Sequence, residues 1–175
     1  MLPVDVDNLK VVKYPDPILH APCAQVTEFG PELHALARSM MALMYKARGV
    51  GLAGPQVGLS LMIFTANPDG QPSPAEKAYV NPVILFEDGQ EVIEEGCLSL
   101  PGISCRMKRA TTVTIRAQDL EGNTFEETGE NLLARIFQHE IDHLNGVLLS
   151  DKMSAVARIA ARRTLKELEE EHESR

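Results

Sequence analysis

Residues 138–146, QHEIDHLNG, hold two histidines four positions apart, with a glutamate directly after the first. On a helix, residues at this spacing lie on one face, so His139 and His143 would present their imidazoles side by side. The H-E-x-x-H pattern is typical of a catalytic metal site in which the glutamate, here Glu140, acts as general base. Burying three ionisable groups next to apolar residues is costly without a partner, and a metal ion is such a partner.

A catalytic site of this type takes a third protein ligand and keeps one position open for water. One zinc peptidase pattern, H-E-x-x-H-x-x-G-x-x-H, ends in a third histidine, but Leu149 stands at that position. A glutamate from a later helix is a second alternative, with Glu167 as candidate, although its dense charged run is more typical of a solvated helix face. The remaining donor is Cys97 in EEGCLSLPG (94–102), where the preceding glycine lets the backbone pass close to an ion or substrate.

The composition predicts one domain, residues 1–175, large enough to bury a core. A net charge of −8 disfavours broad binding to nucleic acid, including DNA. No apolar run reaches the ~20 residues of a membrane span, and the N-terminus has acids where a signal peptide needs a basic region. We therefore expect a cytoplasmic protein without membrane contact. Cys23 and Cys105, the latter in a polar stretch, are expected to be plain thiols.

The elements that must position these residues follow from periodicity and turn signals. Strand-like runs surround one helix instead of alternating with helices, which favours an α+β fold with largely antiparallel sheets around a central metal-binding helix, and with an additional N-terminal and C-terminal helix. Gly146 is the predicted end of the central helix. The predicted segments are a proline-rich arm (11–27), helices (31–47, about 130–145, about 153–173), strands (61–66, 78–86, 91–95) and a hairpin (111–129).

Three segments resemble the three signature motifs of the peptide deformylase family, in the same order and at similar spacing: GVGLAGPQ (49–56), EGCLS (95–99) and QHEIDH (138–143). The resemblance covers most of the chain, including YPDP (14–17) and AQDLEGNTF (117–125). The first motif departs from the family pattern at Gly54, where alanine is usual. We expect this change to loosen the backbone just before Gln56.

The resemblance implies a hydrolase that removes the formyl group from the N-terminal methionine of newly made polypeptides and releases formate. It implies one divalent metal ion held by Cys97, His139 and His143. Ferrous iron (Fe²⁺) is the expected ion in the cell, with Zn²⁺, Ni²⁺ or Co²⁺ able to occupy the same site. Such an ion lowers the pKa of a bound water toward ~7, which makes hydroxide available to attack the formyl carbon.

The resemblance also implies the roles of the residues around the ion. Glu140 would act as general acid and base, and the Gln56 amide with the Leu98 backbone N–H would stabilise the oxyanion. The substrate would lie as an extended peptide beside the backbone of Val50, Gly51, Glu95, Gly96 and Leu98. Its methionine side chain would enter an apolar pocket near Val50, Ile93, Leu132, Ile136 and His139.

Two other functions compete with this interpretation. A general zinc peptidase would use the same helix, but Leu149 and Cys97 argue against that class. A metal-binding or ribosome-associated module without turnover would need neither Glu140 nor Gln56, and both are present. The basic first half of the last helix, residues 158–166, is a candidate contact with the ribosome, although a solvated amphipathic helix is the simpler interpretation.

Overall fold

The computed structural model describes residues 5–174, so residues 1–4 and 175 of the predicted domain lie outside the described residues. Within that range, the helices are α1 (Pro31–Lys46), α2 (Leu132–Leu144) and α3 (Ala155–Glu173), and the strands are β1 (Gly51–Ala53), β2 (Ile63–Ala66), β3 (Lys77–Asp88), β4 (Glu91–Gly96), β5 (Ser104–Arg109), β6 (Thr112–Gln118) and β7 (Thr124–Glu130).

Two antiparallel sheets surround the central helix α2, and the predicted α+β class is confirmed. One sheet has the strand order β1-β2-β3-β6-β7, and the other pairs β4 with β5.

Helix α2 is buried on most of its circumference, which is why it can carry ionisable side chains into the interior. Its Phe137 meets Tyr79 of β3 edge-on, with ring centroids 5.2 Å apart, and Tyr79 stacks on Phe64 of β2 at 4.7 Å. Such aromatic contacts add to the stabilisation from apolar burial. They fix the rotation of α2 against the five-stranded sheet, and with it the direction in which the helix presents its histidines.

Helices α1 and α2 end in the same motif. After α2, the Gly146 and Val147 N–H groups donate to the carbonyls of His143 and Asp142, and Gly146 has a φ of 71°. The predicted stop at Gly146 is therefore confirmed. After α1, Arg48 and Gly49 make the equivalent bonds to Tyr45 and Met44. Here the residue in the left-handed conformation is Arg48, with a φ of 59°, where glycine is the usual occupant.

Strand β5 is one of two strands that the sequence analysis left out, the other being the short β1. It pairs antiparallel with β4, with Glu95 opposite Cys105 and Ile93 opposite Met107. Residues Cys105, Met107 and Arg109 alternate with exposed neighbours and are buried. Cys105 thus lies in a half-buried strand, not in the polar stretch that we expected. The buried apolar residues of β5 pack with the loop that follows β4 and with α3.

The predicted arm over residues 11–27 lies on the body of the protein and includes a short 3₁₀ turn, Pro17–His20. The Val12 N–H donates to the Gln56 carbonyl at 2.8 Å, and the Tyr14 N–H donates to the Ser99 carbonyl at 2.9 Å. The Tyr14 hydroxyl donates to the Glu169 carboxylate of α3 at 2.7 Å. The arm therefore joins two loops and the last helix. None of the helices within residues 5–174 combines the length and the apolar character that a membrane span requires.

Candidate metal centre and active-site pocket

Cys97, His139 and His143 bring one sulfur and two nitrogen atoms together within 4.8 Å of one another. The two histidines project from one face of α2, and Cys97 comes from the loop that follows β4. His143 Nε2 lies 3.2 Å from His139 Nε2 and 3.3 Å from Cys97 Sγ. Among the described residues this is the group of donors able to hold a metal ion, whereas Glu167 is half-exposed on α3 and pairs with Arg163.

The donor set fits a tetrahedral metal ion. Ligand bonds of about 2.0–2.3 Å in tetrahedral geometry put neighbouring donor atoms about 3.3–3.7 Å apart, close to the two separations that involve His143. The Glu95 carboxylate lies 3.2 Å from His139 Nδ1 and favours a proton on that nitrogen, which is the arrangement that leaves Nε2 to bind a metal ion. Burial lowers the pKa of His143, which favours the neutral form that binds metals.

A buried chain of ion pairs orients His139 through its Nδ1 atom. Arg109 donates from Nε and Nη2 to the two oxygens of Glu95, at 2.7 and 2.9 Å, and from Nη1 to Asp142 at 2.8 Å. Burial alone would raise the pKa of Glu95, but the hydrogen bonds from His139 and Arg109 outweigh it and lower the pKa to about 2. Glu95 is therefore an acceptor at neutral pH and fixes the orientation of the His139 ring.

Glu140 is buried beside the three donors. Its Oε2 has no hydrogen-bond partner among the described residues, and burial raises the pKa of its carboxyl to about 7. The carboxylate lies against the backbone of Gly51: a Cβ at that position would be 2.8 Å from the Glu140 carboxylate carbon. An unsatisfied buried carboxylate next to a metal donor set is suited to accept a proton from a bound molecule.

Gln56 is 1% exposed and its amide orientation is fixed by the surrounding bonds. The Ala53 N–H can only donate, so the atom that it contacts at 2.9 Å is the acceptor Oε1. The Gln56 NH₂ group therefore faces the centre, 3.2 Å from Ser99 Oγ and 3.7 Å from Cys97 Sγ. Contrary to our expectation, Gly54 does not loosen this turn: a Cβ there would lie only 2.6 Å from the Leu61 carbonyl oxygen, so the backbone is closely packed.

An open cavity of about 450 Å³ leads to this centre. Leu98 lines it, and no backbone carbonyl within residues 5–174 accepts the Leu98 N–H. Most of the predicted substrate-binding residues also line the cavity: Val50, Gly51, Glu95, Gly96, Leu132 and Ile136. Ile93 lies two positions before Glu95 on β4 and is not among the residues that line this cavity, so its place in the methionine pocket stays a prediction.

Sequence analysis missed several residues around the centre. Arg48 and Arg135 line the cavity, and Arg109 supports Glu95. A signal for Arg109 was available in the alternation of residues 104–109, but charged residues occupy both faces of that run and hide the buried one. Nothing in the sequence distinguished Arg48 from other surface arginines, since its exposure to the cavity depends on how α1 ends.

The comparison with known proteins agrees with this geometry. A family model described as polypeptide deformylase matches residues 8–158. The peptide deformylase of Acidobacterium capsulatum is 47% identical over 160 residues, which cover 91% of this chain and 94% of that protein. The chloroplastic peptide deformylase 1B of Oryza sativa subsp. japonica is 42% identical over 167 residues, which cover 94% of this chain but only 62% of that protein.

Solved structures give the same result. The crystal structure of Arabidopsis thaliana peptide deformylase 1B in complex with an inhibitor has a TM-score of 0.91 and 40% sequence identity, covering 95% of this chain and 93% of that one. Family match, sequence identity and fold agree over nearly the whole length. The chain belongs to the peptide deformylase family of metal-dependent enzymes.

Proposed function

We propose that this enzyme removes the formyl group from the N-terminal methionine of newly made polypeptides and releases formate and a free amine. One observation supports the proposal most directly. A buried carboxylate, an amide NH₂ group and three metal donors meet at the end of a single cavity. Family membership and the names of the relatives agree with it.

Cys97, His139 and His143 would hold the ion, and Fe²⁺ is the proposed occupant in the cell, with Zn²⁺, Ni²⁺ or Co²⁺ as alternatives. A divalent ion at this place supplies a water that is nucleophilic at neutral pH and polarises the formyl oxygen. The contribution of the chain is orientation. Glu95 holds His139 with its Nε2 lone pair toward the centre, and Arg109 holds Glu95 in turn.

Glu140 would move the proton. Its free Oε2 can accept a proton from the attacking water and return it to the nitrogen of the breaking amide bond, so that the amine leaves as a neutral group. Gly51 allows the carboxylate to lie this close to the donor set, because it has no side chain to displace it.

Gln56 and Leu98 would stabilise the negative charge that develops on the formyl oxygen. The Gln56 NH₂ group is held toward Cys97 by the Ala53 N–H, which binds the other end of the amide. The Leu98 N–H, which has no backbone acceptor within residues 5–174, would be the second donor. Loss of one such donor typically lowers kcat by ~10²–10³.

The peptide would enter the cavity as an extended strand. Backbone groups of Val50, Gly51, Glu95, Gly96 and Leu98 border the cavity and are suited to pair with it. The apolar side chains of Val50, Leu132 and Ile136 are suited to enclose the methionine side chain. Ile93, two residues before Glu95 on β4, and His139, which lines the cavity, are proposed to complete this apolar pocket.

The test compares an N-formyl-Met peptide with its N-acetyl twin and with a longer unblocked peptide, and measures formate and peptide fragments. We expect formate from the first and little reaction of the others. Cleavage of internal peptide bonds would favour a general peptidase instead.

A second test is the variant Glu140→Gln, whose kcat should fall at least ~10²-fold while its metal content stays unchanged. A fully active variant would exclude Glu140 as the proton carrier. His172→Gln, on the exposed end of α3, is the control.

We further propose that the enzyme works in the cytoplasm and meets its substrates at the ribosome through α3. Support comes from the cations of its first half, Arg158–Lys166, among which Arg163 and Lys166 are highly exposed but are paired with Glu167 and Glu170. Co-sedimentation with ribosomes tests the contact. Arg162→Glu combined with Arg163→Glu should reduce it, and an unchanged pellet fraction would exclude α3 as the contact.

A further inference from the structure

Two arginines in the cavity wall have no partner for their charge. Arg48 and Arg135 both line the cavity, and neither forms a side-chain hydrogen bond or an ion pair with a side chain that the structure describes. The Arg135 Nε is fully buried and unsatisfied. Leaving a buried donor without an acceptor costs about 1–3 kcal/mol, and more for a charged group. The Arg135 guanidinium is therefore suited to a bound molecule that supplies the acceptor, since the chain itself does not provide one.

The backbone at Arg48 gives independent support. Arg48 occupies the left-handed position after α1 with a φ of 59°, and the matching position after α2 is Gly146 with a φ of 71°. Glycine adopts this conformation without the steric cost that a side chain brings. The chain thus keeps an arginine in the cavity wall at a position where glycine would end the helix without backbone strain.

The acidic residues of the same wall do not neutralise these arginines. Glu95 is bound by Arg109 and His139, and Glu94 accepts from the Ser104 hydroxyl and stands opposite Arg106 in the sheet. Glu140 lies at the metal end of the cavity, against Gly51. The charge of Arg48 and Arg135 is therefore available to a bound molecule, in a protein whose net charge of −8 would otherwise repel anions.

We propose that Arg48 and Arg135 form a carboxylate-binding subsite that selects formyl-Met peptides with a negative charge close behind the first residue. This inference rests on the proposed deformylase function and adds a substrate class to it. The planar guanidinium group binds carboxylates through paired, charge-assisted hydrogen bonds. The carboxylate is either an acidic side chain or the C-terminus of a short peptide.

The experiment uses the metal-loaded enzyme and a matched set of formyl-Met peptides. Each peptide carries Glu or Gln at the second or third position and an amidated C-terminus. The Gln peptides are also made with a free C-terminus. Formate release gives kcat/KM for each. We expect at least one Glu peptide to exceed its Gln twin by about tenfold, mainly through KM because these arginines do not touch the reacting bond. A preference only for the free C-terminus would assign the subsite to chain ends and overturn selection of acidic side chains.

Variants show whether the two arginines cause the preference. Arg48→Gly and Arg135→Gln should each bring the Glu/Gln ratio of kcat/KM toward one, and Arg135→Lys should keep part of the ratio. Arg38→Gln, an exposed arginine of α1 outside the cavity, should leave the ratio intact. Arg48→Gly also relieves backbone strain, so it should fold at least as stably as the wild type and remain informative if Arg135→Gln does not.

In the wild type, equal rates for the Glu and Gln peptides together with no gain from a free C-terminus, with formate released from all of them, would overturn the inference and leave the proposed function standing. A preference that survives in Arg48→Gly and in Arg135→Gln would also overturn it. If no peptide released formate, the proposed function would fail, and the subsite with it.

Discussion

Gly51 and Glu140 are in direct contact, and the absence of a side chain at residue 51 is what lets the carboxylate reach the metal donors. A Cβ at residue 51 would overlap Oε1 of Glu140 and lie 2.8 Å from its carboxylate carbon. We expect Gly51→Ala to displace the carboxylate and to lower kcat by ~10² or more, while the metal content stays at the wild-type level. Gly30→Ala is the control, since a Cβ there has no atom within 4 Å. Full activity of Gly51→Ala would refute the argument.

The chain Arg109–Glu95–His139 should control how tightly the metal is held. Arg109→Gln removes the ion pair that orients Glu95 and leaves two buried carboxylates with weaker support. Loss of such an outer partner typically weakens metal binding 10–100-fold, which a competitive chelator titration can measure. Arg106→Gln, on the exposed face of the same strand, should bind metal like the wild type. Equal affinities of the two variants would show that the chain has no part in metal binding.

Acid should remove the stabilisation that Glu95 provides in the metal-free protein. Because the pKa of Glu95 is lowered to about 2 in the fold from an ordinary 4.5, its ionised form stabilises the protein fully above about pH 4.5. This contribution, about 3 kcal/mol, is lost as the pH falls from 4.5 to 2. Denaturant unfolding should therefore show a gap between wild type and Glu95→Gln that narrows over this range.

The control for the acid experiment is Glu126→Gln, which breaks an exposed pair with Arg116. It should change the free energy of unfolding by less than about 1 kcal/mol at any of these pH values. A gap between wild type and Glu95→Gln that stays constant from pH 5 to 2 would contradict the assignment of a low pKa to Glu95.

Asn131 starts α2 in a strained conformation that glycine should relieve. Its φ is 50° and its ψ is −114°, and its side chain makes no capping hydrogen bond. Strain of this kind costs about 1–3 kcal/mol, so Asn131→Gly should raise the free energy of unfolding by about 1 kcal/mol. Asn145 at the other end of α2 has a φ of −93°, and Asn145→Gly should be destabilising. If Asn131→Gly and Asn145→Gly changed the free energy of unfolding in the same direction, the strain argument would be contradicted.

The sequence was most informative where periodicity and motifs coincide. The bounds of α1, α2 and α3 were predicted to within two residues, because apolar spacing, Pro31 and Gly146 mark them. Elimination of the downstream donors, with Leu149 in place of a histidine, then led to Cys97, and the structure brings it to His139 and His143.

The missed features depend on contacts between distant segments. Strand β5 alternates buried and exposed residues, but its buried positions include Arg109, whose burial is possible only because Glu95 and Asp142 lie opposite. The role of Gly54 follows from the approach of the Leu61 carbonyl. The role of Arg48 and Arg135 depends on a cavity formed jointly by the segment after α1, by β4 with the loop that follows it, and by α2.

The arm that joins the two site loops has a kinetic consequence. Val12 binds the Gln56 carbonyl, Tyr14 binds the Ser99 carbonyl, and Cys97 must meet His143, so the site is closed by contacts between distant parts of the chain. Contacts of large sequence separation form late in folding, because the loss of chain entropy comes before the gain in interactions. The thiol of Cys97 should therefore remain open to oxidants until the last stage of folding, and a supply of metal at that stage should decide how much of the newly made protein becomes active.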